Sequence, residues 1–383
     1  MRILPALILF AVCLPCRFTV RDVGFVDLGD SRYKLHVFVS GEESPAAKAT
    51  LERLCKAQLL DVNADVEFVD PDAETEVPAH RLLREMQIQE FPAMVLEHPD
   101  GQTLKFGFKG VFDEVAAPVV ETVVSSPLRN RILEQVLRRY CVVVLVEGPK
   151  ADENARAAQA IRDAFKVIER GFDAMPKAVG DLPILLTVKA ATREQERVLL
   201  WSLGIETNLQ MPSAAALFGR GRRIGPVLDG ADISKDSMLG ILANAGESCE
   251  CDLDRSWMRG PRIPLRWDAD TRQQATELLG FDPENPVVKS EISGILSKRP
   301  KGTRGAKDST PTVADLLAGY SEATVEDSAS VSVAEEESAE TAEVLGPDEA
   351  DAVLWGPILA TAGGLFGFSL LIAGFLFLRR DRR

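Results

Sequence analysis

The chain has few of the side chains that build metal centres and disulfide-stabilised domains. Its 383 residues include 3 histidines, 6 cysteines and 3 tyrosines, and the aromatic fraction is 6%. Disulfide-dense domains are small, so six cysteines in a chain of this length do not make a disulfide scaffold. No His-Glu-x-x-His motif, Ser-His-Asp arrangement or glycine-rich phosphate loop is present. The sequence signatures of zinc peptidases, serine hydrolases and P-loop nucleotidases are therefore missing.

Positive charge is also in short supply. Asp and Glu number 58 against 44 Lys and Arg, which gives a net charge of −14. A chain this acidic repels polyanions, so we expect no nucleic-acid partner. Hydrophobic residues make up 46% of the chain, and its length predicts two or three domains with cores of ordinary size.

The amino-terminal segment has the pattern of a secretory signal. Met1-Arg2 precedes an apolar run that ends near Pro15, and we assign residues 1–16 to a signal peptide. A Cys-Leu-Pro-Cys motif, Cys13 to Cys16, falls at or beside the expected cleavage site. A haem attachment motif needs His after its second Cys, and Arg17 follows instead. We interpret the motif as part of the leader, with Cys16 at most a structural thiol.

The opposite end predicts a membrane anchor. Residues 352–378 contain no charged side chain and are long enough to form a transmembrane helix. Residues 379–383 are basic, which predicts a cytoplasmic tail and extracytoplasmic domains, either periplasmic or at the cell surface. Gly363 and Gly367 form a Gly-x-x-x-Gly pair, so the helix is also a candidate homodimer interface.

A long polar segment precedes the anchor. Residues 299–351 begin with a basic patch, and from residue 308 onward they contain no Lys or Arg. The acidic part is rich in Glu, Asp, Ser, Ala and Thr, a composition that cannot bury enough apolar surface to fold. We predict a disordered linker here.

The region between the leader and the linker repeats one pattern twice. Hydrophobic periodicity predicts an α/β fold in both copies, with domains at 17–128 and 129–250. The first copy has predicted strands at 33–39, 66–69, 91–96 and 103–108 and helices at 45–60, 79–87 and 112–124. The second has predicted strands at 141–146, 184–188, 211–217 and 224–228 and helices at 151–169, 193–203 and 235–245.

This order resembles the thioredoxin fold, chiefly through Phe91-Pro92-Ala93 and Met211-Pro212-Ser213. Members of that family carry a cis-proline before the third strand, beside a groove that can hold an extended polypeptide. The resemblance therefore implies cis bonds at both prolines. It makes Phe91, Pro92, Met211 and Pro212 the candidate peptide-binding residues.

The sequence departs from the family where the redox cysteines would stand. Residues 41–44 read Gly-Glu-Glu-Ser and residues 148–151 read Gly-Pro-Lys-Ala. Cys55 and Cys141 fall on apolar positions, which predicts buried, inert thiols. We therefore expect no catalytic residue and no cofactor. The resemblance then implies a non-enzymatic, membrane-tethered protein that binds another extracytoplasmic protein or an extended peptide.

One cysteine pair keeps an alternative open. Cys249 and Cys251 lie among acidic residues, and two thiolates this close could bind a soft metal such as Cu(I) or form a reducible disulfide. They could equally form a structural disulfide with each other or with Cys16, or stay free. The alternative function is thus a thiol-disulfide or copper-handling protein.

The sequence also predicts the structure of two further segments near the second copy. Residues 219–223, Gly-Arg-Gly-Arg-Arg, predict a hairpin turn with an exposed basic tip. Residues 251–298 form an appendage in which Trp257 and Trp267 suggest a chain laid across the surface of the second domain. Two short helices are predicted within it, at 268–279 with Asp268 as N-cap and at 285–297.

Overall fold

Two four-stranded sheets, one in each half of the folded region, organise the protein. The computed structural model describes residues 17–29, 32–40, 45–73, 77–107, 112–175, 180–247 and 255–297. The first half contains α1 (Val20–Val23), β1 (Tyr33–Phe38), α2 (Pro45–Leu59), β2 (Ala64–Val69), α3 (His80–Glu85), β3 (Ala93–Glu97), β4 (Thr103–Phe106) and α4 (Phe112–Val124). The second half contains α5 (Pro127–Arg138), β5 (Val142–Val146), α6 (Ala151–Gly171), β6 (Ile184–Val188), α7 (Arg197–Ser202), β7 (Ser213–Phe218), β8 (Arg222–Asp229) and α8 (Lys235–Gly246). The appendage adds α9 (Ala269–Leu279) and α10 (Pro286–Ser297).

The two sheets have the same topology. Their strand orders are β2-β1-β3-β4 and β6-β5-β7-β8. In each sheet the first two strands of the copy are parallel, and the last two pair antiparallel. This arrangement is thioredoxin-like, so the predicted α/β class and the two tandem thioredoxin-like domains are confirmed.

Apolar residues on both faces explain why each sheet is a central layer. All five residues of β5 are buried, because helices cover both faces of this central strand. On one face, α6 and α8 contribute Ile161, Ile168 and Leu242 to the largest core cluster. On the other face, α5 contributes Ile132 and Val136. The first sheet is covered in the same way by α2 and α4 on one face and α3 on the other.

The segment 17–29 requires a correction to the domain assignment. The sequence pattern assigns it to the first domain, but Phe18, Val20 and Val23 lie in the core of the second. Val20 N donates to the carbonyl of Glu247 at 2.8 Å, at the end of α8. The physical reason is that these apolar side chains are buried by α8, far away in sequence.

Helix α5 is an element that the periodicity analysis missed. It begins with Ser126 as N-cap, whose side chain accepts from Arg129 N, and with Pro127 in its first turn. Serine followed by proline at the first helical position is a recognised start signal, so the sequence did carry the information.

The appendage lies where the prediction did not expect it. Its two helices are present, and Asp268 caps α9 by accepting from Thr271 N at 2.9 Å. The connecting residues 260–267, here called the strap, contact both domains rather than the second alone. The strap contacts both domains because its backbone has hydrogen-bond partners in each of them. Such long-range pairing cannot be predicted from sequence spacing.

Several predicted segments fall outside the described residues. None of the helices in the described ranges combines the length and apolarity needed to cross a bilayer. The predicted signal peptide, linker, transmembrane helix with Gly363 and Gly367, and cytoplasmic tail lie at residues 1–16, 299–351, 352–378 and 379–383, all outside those ranges.

Candidate functional site: the proline corners and the interdomain junction

The first candidate corner lies at the start of β3. The Phe91–Pro92 bond is cis, and both residues are half-buried. Phe91 packs at the margin of a core cluster that includes Leu82 and Val95. The loop 41–44, where the family has its redox cysteines, lies outside the described residues.

The second corner differs from the first. Among the described residues Phe91–Pro92 is the cis bond, so the expected cis bond at Met211–Pro212 is wrong and this bond is trans. A Cβ atom at Gly148 would lie 2.7 Å from the Met211 carbonyl carbon and the Pro212 nitrogen. The Asn154 side chain fixes this approach, accepting from Gly148 N at 2.8 Å and donating to its carbonyl at 3.0 Å. A side chain at position 148 would therefore clash with the backbone of Met211 and Pro212.

Strand direction places the first corner away from the strap. Phe38, the last residue of β1, pairs with Ala93 beside Pro92. Tyr33, the first residue of β1, donates its hydroxyl to the carbonyl of Arg262 in the strap at 2.6 Å. A strand of this length separates its ends by about 16 Å at ~3.3 Å per residue. The Phe91–Pro92 corner is thus at the far end of the sheet from the strap.

The strap holds the first domain through the side chain of one asparagine and one backbone hydrogen bond. Asn63 donates from Nδ2 to the carbonyl of Ile263 at 3.3 Å, and its Oδ1 accepts from Leu265 N at 3.0 Å. Trp267 N donates to the carbonyl of Asp61 at 2.6 Å. The turn between α2 and β2 is thereby joined to the strap.

On its other side the strap pairs with the start of β8. Arg223 N donates to the carbonyl of Pro261 at 2.8 Å, and Ile263 N donates to that of Gly221 at 3.0 Å. This pairing covers the β7–β8 turn, so Arg220 and Arg222 are only 6% and 5% exposed. The predicted exposed basic tip is therefore wrong, because the strap buries it.

A second link between the domains is formed by α7. Val198 lies in the core cluster of the first domain, and Trp201 packs against it. Arg197 Nη2 donates to the carbonyl of Lys105 in β4 at 2.7 Å. The domains thus share apolar surface as well as the strap.

Two cavities open at this junction. One, of about 380 Å³, is bordered by His98, Trp201 and Arg223. The other, of about 390 Å³, is bordered by Arg220, Arg262 and Trp267. Sequence reasoning missed both, because their walls come from segments more than a hundred residues apart.

The described thiols and histidines have ordinary structural environments. Burial raises the pKa of Cys55 and of Cys141 to about 12. His36 contacts Glu67 and Glu97 on the neighbouring strands. Within the described ranges no three His, Cys, Asp or Glu side chains are grouped so that they could hold a metal ion. Cys16, Cys249 and Cys251 lie outside those ranges, and their role stays a prediction.

No protein-family model matches the sequence, and no curated protein gives a significant match. Among solved structures, human ERp44 in its zinc-bound form is 12% identical with a TM-score of 0.22, covering 57% of this chain and 56% of that one. ERdj5 form II is 12% identical with a TM-score of 0.19, and the match covers 55% of this chain and 26% of the ERdj5 chain. The first two thioredoxin domains of Saccharomyces cerevisiae Eps1p are 13% identical with a TM-score of 0.20, covering 56% and 92%.

The match spans about half of the ERp44 chain and a quarter of the ERdj5 chain. The thioredoxin-like assignment accordingly rests on the strand order and pairing of the two sheets, and nothing about function is taken from these proteins.

Proposed function

We propose that this chain is a thioredoxin-like binding protein that holds an extended segment of another protein without thiol chemistry in its two folded domains. The observation that carries the proposal is the state of the described thiols. Cys55 and Cys141 are buried with pKa values raised to about 12, far above neutral pH. A thiolate is the reactive form, so neither side chain is suited to attack a disulfide. The turn at 148–151 has no cysteine and at Gly148 no room for a side chain.

The Phe91–Pro92 corner of the first domain is our proposed binding position. It is at the end of its sheet that faces away from the strap, whereas the junction end is occupied by contacts with the second domain. In the second domain the corresponding space is narrowed by the close approach of Gly148 to Met211 and Pro212. Met211 is still 45% exposed, so it is a secondary contact in the same proposal.

We further propose that the domains are extracytoplasmic and tethered by the apolar segment 352–378. The support is the sequence alone: an apolar leader at 1–16, an uncharged stretch at 352–378 and a basic tail. Protease added to sealed cells or vesicles with the extracytoplasmic side outward should remove the domains and leave the tail protected. Protection of the domains would contradict this topology.

Site-specific photocrosslinking tests the binding proposal. A benzophenone amino acid is placed at Phe91, at Met211 or at Leu278 in separate full-length chains in their native membrane. Leu278 is a matched control because it is apolar and 55% exposed but lies on α9. We expect defined protein adducts from position 91 and fewer from position 211. Position 278 should give none of the adducts found at position 91.

Two outcomes would contradict the proposal. One is the same adduct pattern at 91 and 278, which would indicate random collision. The other is an adduct at 91 that disappears with reducing agent before irradiation, which would indicate capture through a disulfide.

A further inference from the structure

The cavity of about 390 Å³ beside the strap has an unusual concentration of arginine. Its walls come from the segment before β1, the turn between α2 and β2, the β7–β8 turn, the strap and α9. Arg32, Arg220, Arg262 and Arg272 all line it. We call it the arginine pocket.

Two of these arginines are buried and share one carboxylate. Arg220 and Arg262 are 6% and 4% exposed. Arg262 Nη1 lies 2.9 Å from Asp27 Oδ1, and Arg220 Nη1 lies 3.8 Å from Asp27 Oδ2. Glu284 also contacts Arg220, but Lys289 Nζ lies 2.6 Å from its other oxygen. Asp27 and Glu284 therefore neutralise this pair only in part.

Among the described residues, the ion pairs around the pocket contain one cation more than they contain carboxylates. Those involving lining residues contain five cations and four carboxylates. The remaining pairs are Arg32 with Asp65 and Arg272 with Asp61. Burial and then the charge of Arg262 lower the pKa of Arg220 to about 10. Burial alone would raise the pKa of Asp27, but Arg262 and Arg220 lower it to about 2.

Some buried hydrogen-bond donors of the described pocket residues have no acceptor. Within the described part of the chain, Arg220 Nε, Arg262 Nε and Trp267 Nε1 are buried and have no acceptor. The Arg220 guanidinium lies over the Trp267 ring, with 4.5 Å from Cζ to the centroid. Buried donors without an acceptor cost free energy, and two guanidinium groups held side by side repel each other. A negatively charged acceptor would relieve both costs.

We propose that the arginine pocket binds a small oxyanion, a phosphate or a carboxylate group. Guanidinium groups present paired N–H donors that match the geometry of both oxyanions, and buried examples bind them strongly. The pocket is bordered by both domains and by the strap. An anion there would bind only the assembled fold and would stabilise it. This site is separate from the Phe91–Pro92 corner, which is at the other end of the first sheet.

Thermal unfolding of the purified full-length chain in mild detergent tests the proposal. Sodium phosphate, sodium acetate and sodium chloride are compared at equal ionic strength and pH 7. We expect a higher unfolding temperature in phosphate, in acetate or in both than in chloride, and the effective salt identifies the anion. Arg262→Lys and Arg220→Lys keep the charge but remove the paired donors, so each should lose most of the increase. The matched control is Arg53→Lys, an exposed position on α2, which should keep it.

A gain of binding tests the site even if the lysine variants fold poorly. Asp27→Asn removes the internal carboxylate shared by Arg220 and Arg262. In chloride this variant should unfold at a lower temperature than the native chain. It should bind the effective anion roughly ten- to a hundredfold more tightly, because the anion no longer competes with Asp27 and gains about one charge-assisted interaction with the arginines. Two results would overturn the proposal. One is an equal anion-dependent increase in the unfolding temperature of Arg262→Lys and Arg53→Lys. The other is no increase in the unfolding temperature with either anion, in both the native chain and Asp27→Asn.

Discussion

Replacing Arg129 with methionine is expected to destabilise the folded region far more than an ordinary helix substitution. Arg129 is fully buried and lies where α4, α5 and the strap meet. Its Nη1 donates to the carbonyls of Val123 at 2.8 Å and Pro264 at 3.1 Å. Its Nη2 donates to the carbonyl of Ser125 at 2.6 Å, and its Nε donates to Ser126 Oγ at 3.1 Å.

The size of the effect follows from what the substitution leaves behind. Methionine fills much of the same space, so the cavity cost is small. Buried carbonyls at the end of α4 and in the strap lose their donor, at about 1–3 kcal/mol for each one that water cannot reach. Glu196, only 3% exposed, loses the attraction of a nearby positive charge, and leaving a buried charge uncompensated costs up to about 3–5 kcal/mol. These costs overlap, so we expect a loss of roughly 3–5 kcal/mol in the free energy of unfolding.

The charge of Arg129 persists at neutral pH. Burial lowers the pKa of this guanidinium to about 10, and Glu196 opposes the decrease. The predicted loss should therefore be nearly constant between pH 6 and pH 8.

Equilibrium urea unfolding of residues 17–297 measures the effect, with tryptophan fluorescence as the signal. Arg131→Met is the control because Arg131 is exposed on the same helix, and exposed substitutions of this kind change stability by about 0.5 kcal/mol or less. A loss below about 1 kcal/mol for Arg129→Met, or one equal to that of Arg131→Met, would show that this arginine does not hold the three segments together.

Three further predictions follow from the same structure. In a variant that keeps only Cys55 and Cys141, both thiols should resist labelling by maleimide at pH 8. Raising their pKa from 9.0 to about 12 lowers the thiolate fraction roughly a thousandfold. Rapid labelling of the folded protein would contradict this prediction. The folded-state pKa of Asp27 is depressed from 3.8 to about 2, so its contribution is present above pH 3.8 and lost as the pH falls towards 2. Asp27→Asn should therefore reduce the dependence of the free energy of unfolding on pH below pH 3.8. Equal pH dependence in the variant and the native chain would show that Asp27 does not cause it. Leucine at Gly363 and Gly367 should weaken self-association of the segment 352–378 in a bilayer reporter; a signal equal to a monomeric control before and after substitution would remove the dimer hypothesis.

The elements that the sequence predicted well are those specified by local patterns. The apolar residues of α6 recur at helical spacing and predict a helix at 151–169; the helix spans Ala151–Gly171. Strand β6 was expected at the residues it occupies, Ile184–Val188. The N-cap at Asp268 was also foreseen, since a capping hydrogen bond needs only residues within one turn.

The elements that were missed depend on partners distant in sequence. Phe18 and Val20 look like the start of the first domain, but the apolar surface that buries them is on α8. Arg220 looks like a solvated turn residue, and it is buried because the strap pairs with the adjacent backbone. Arg129 and Arg262 carry no local sign of burial at all. Composition favours exposure for arginine, and only tertiary structure supplies the carbonyls and carboxylates that make burial tolerable.

The same long-range contacts bear on how a partner chain could bind. A thioredoxin-like sheet has two edge strands, and an exposed edge can pair with an extended peptide. In the second sheet the start of the β8 edge is already paired with the strap through Pro261 and Ile263. In the first sheet α7 contacts β4, with Arg197 donating to a β4 carbonyl, and the β2 edge carries the charged side chains Asp65 and Glu67. Strand addition at β4 would therefore have to displace α7, and addition at β2 would bring a peptide beside the ion pairs of Asp65 and Glu67, whereas binding at the Phe91–Pro92 corner requires neither. This asymmetry favours the corner over the sheet edges as the place where the proposed partner would bind the first domain.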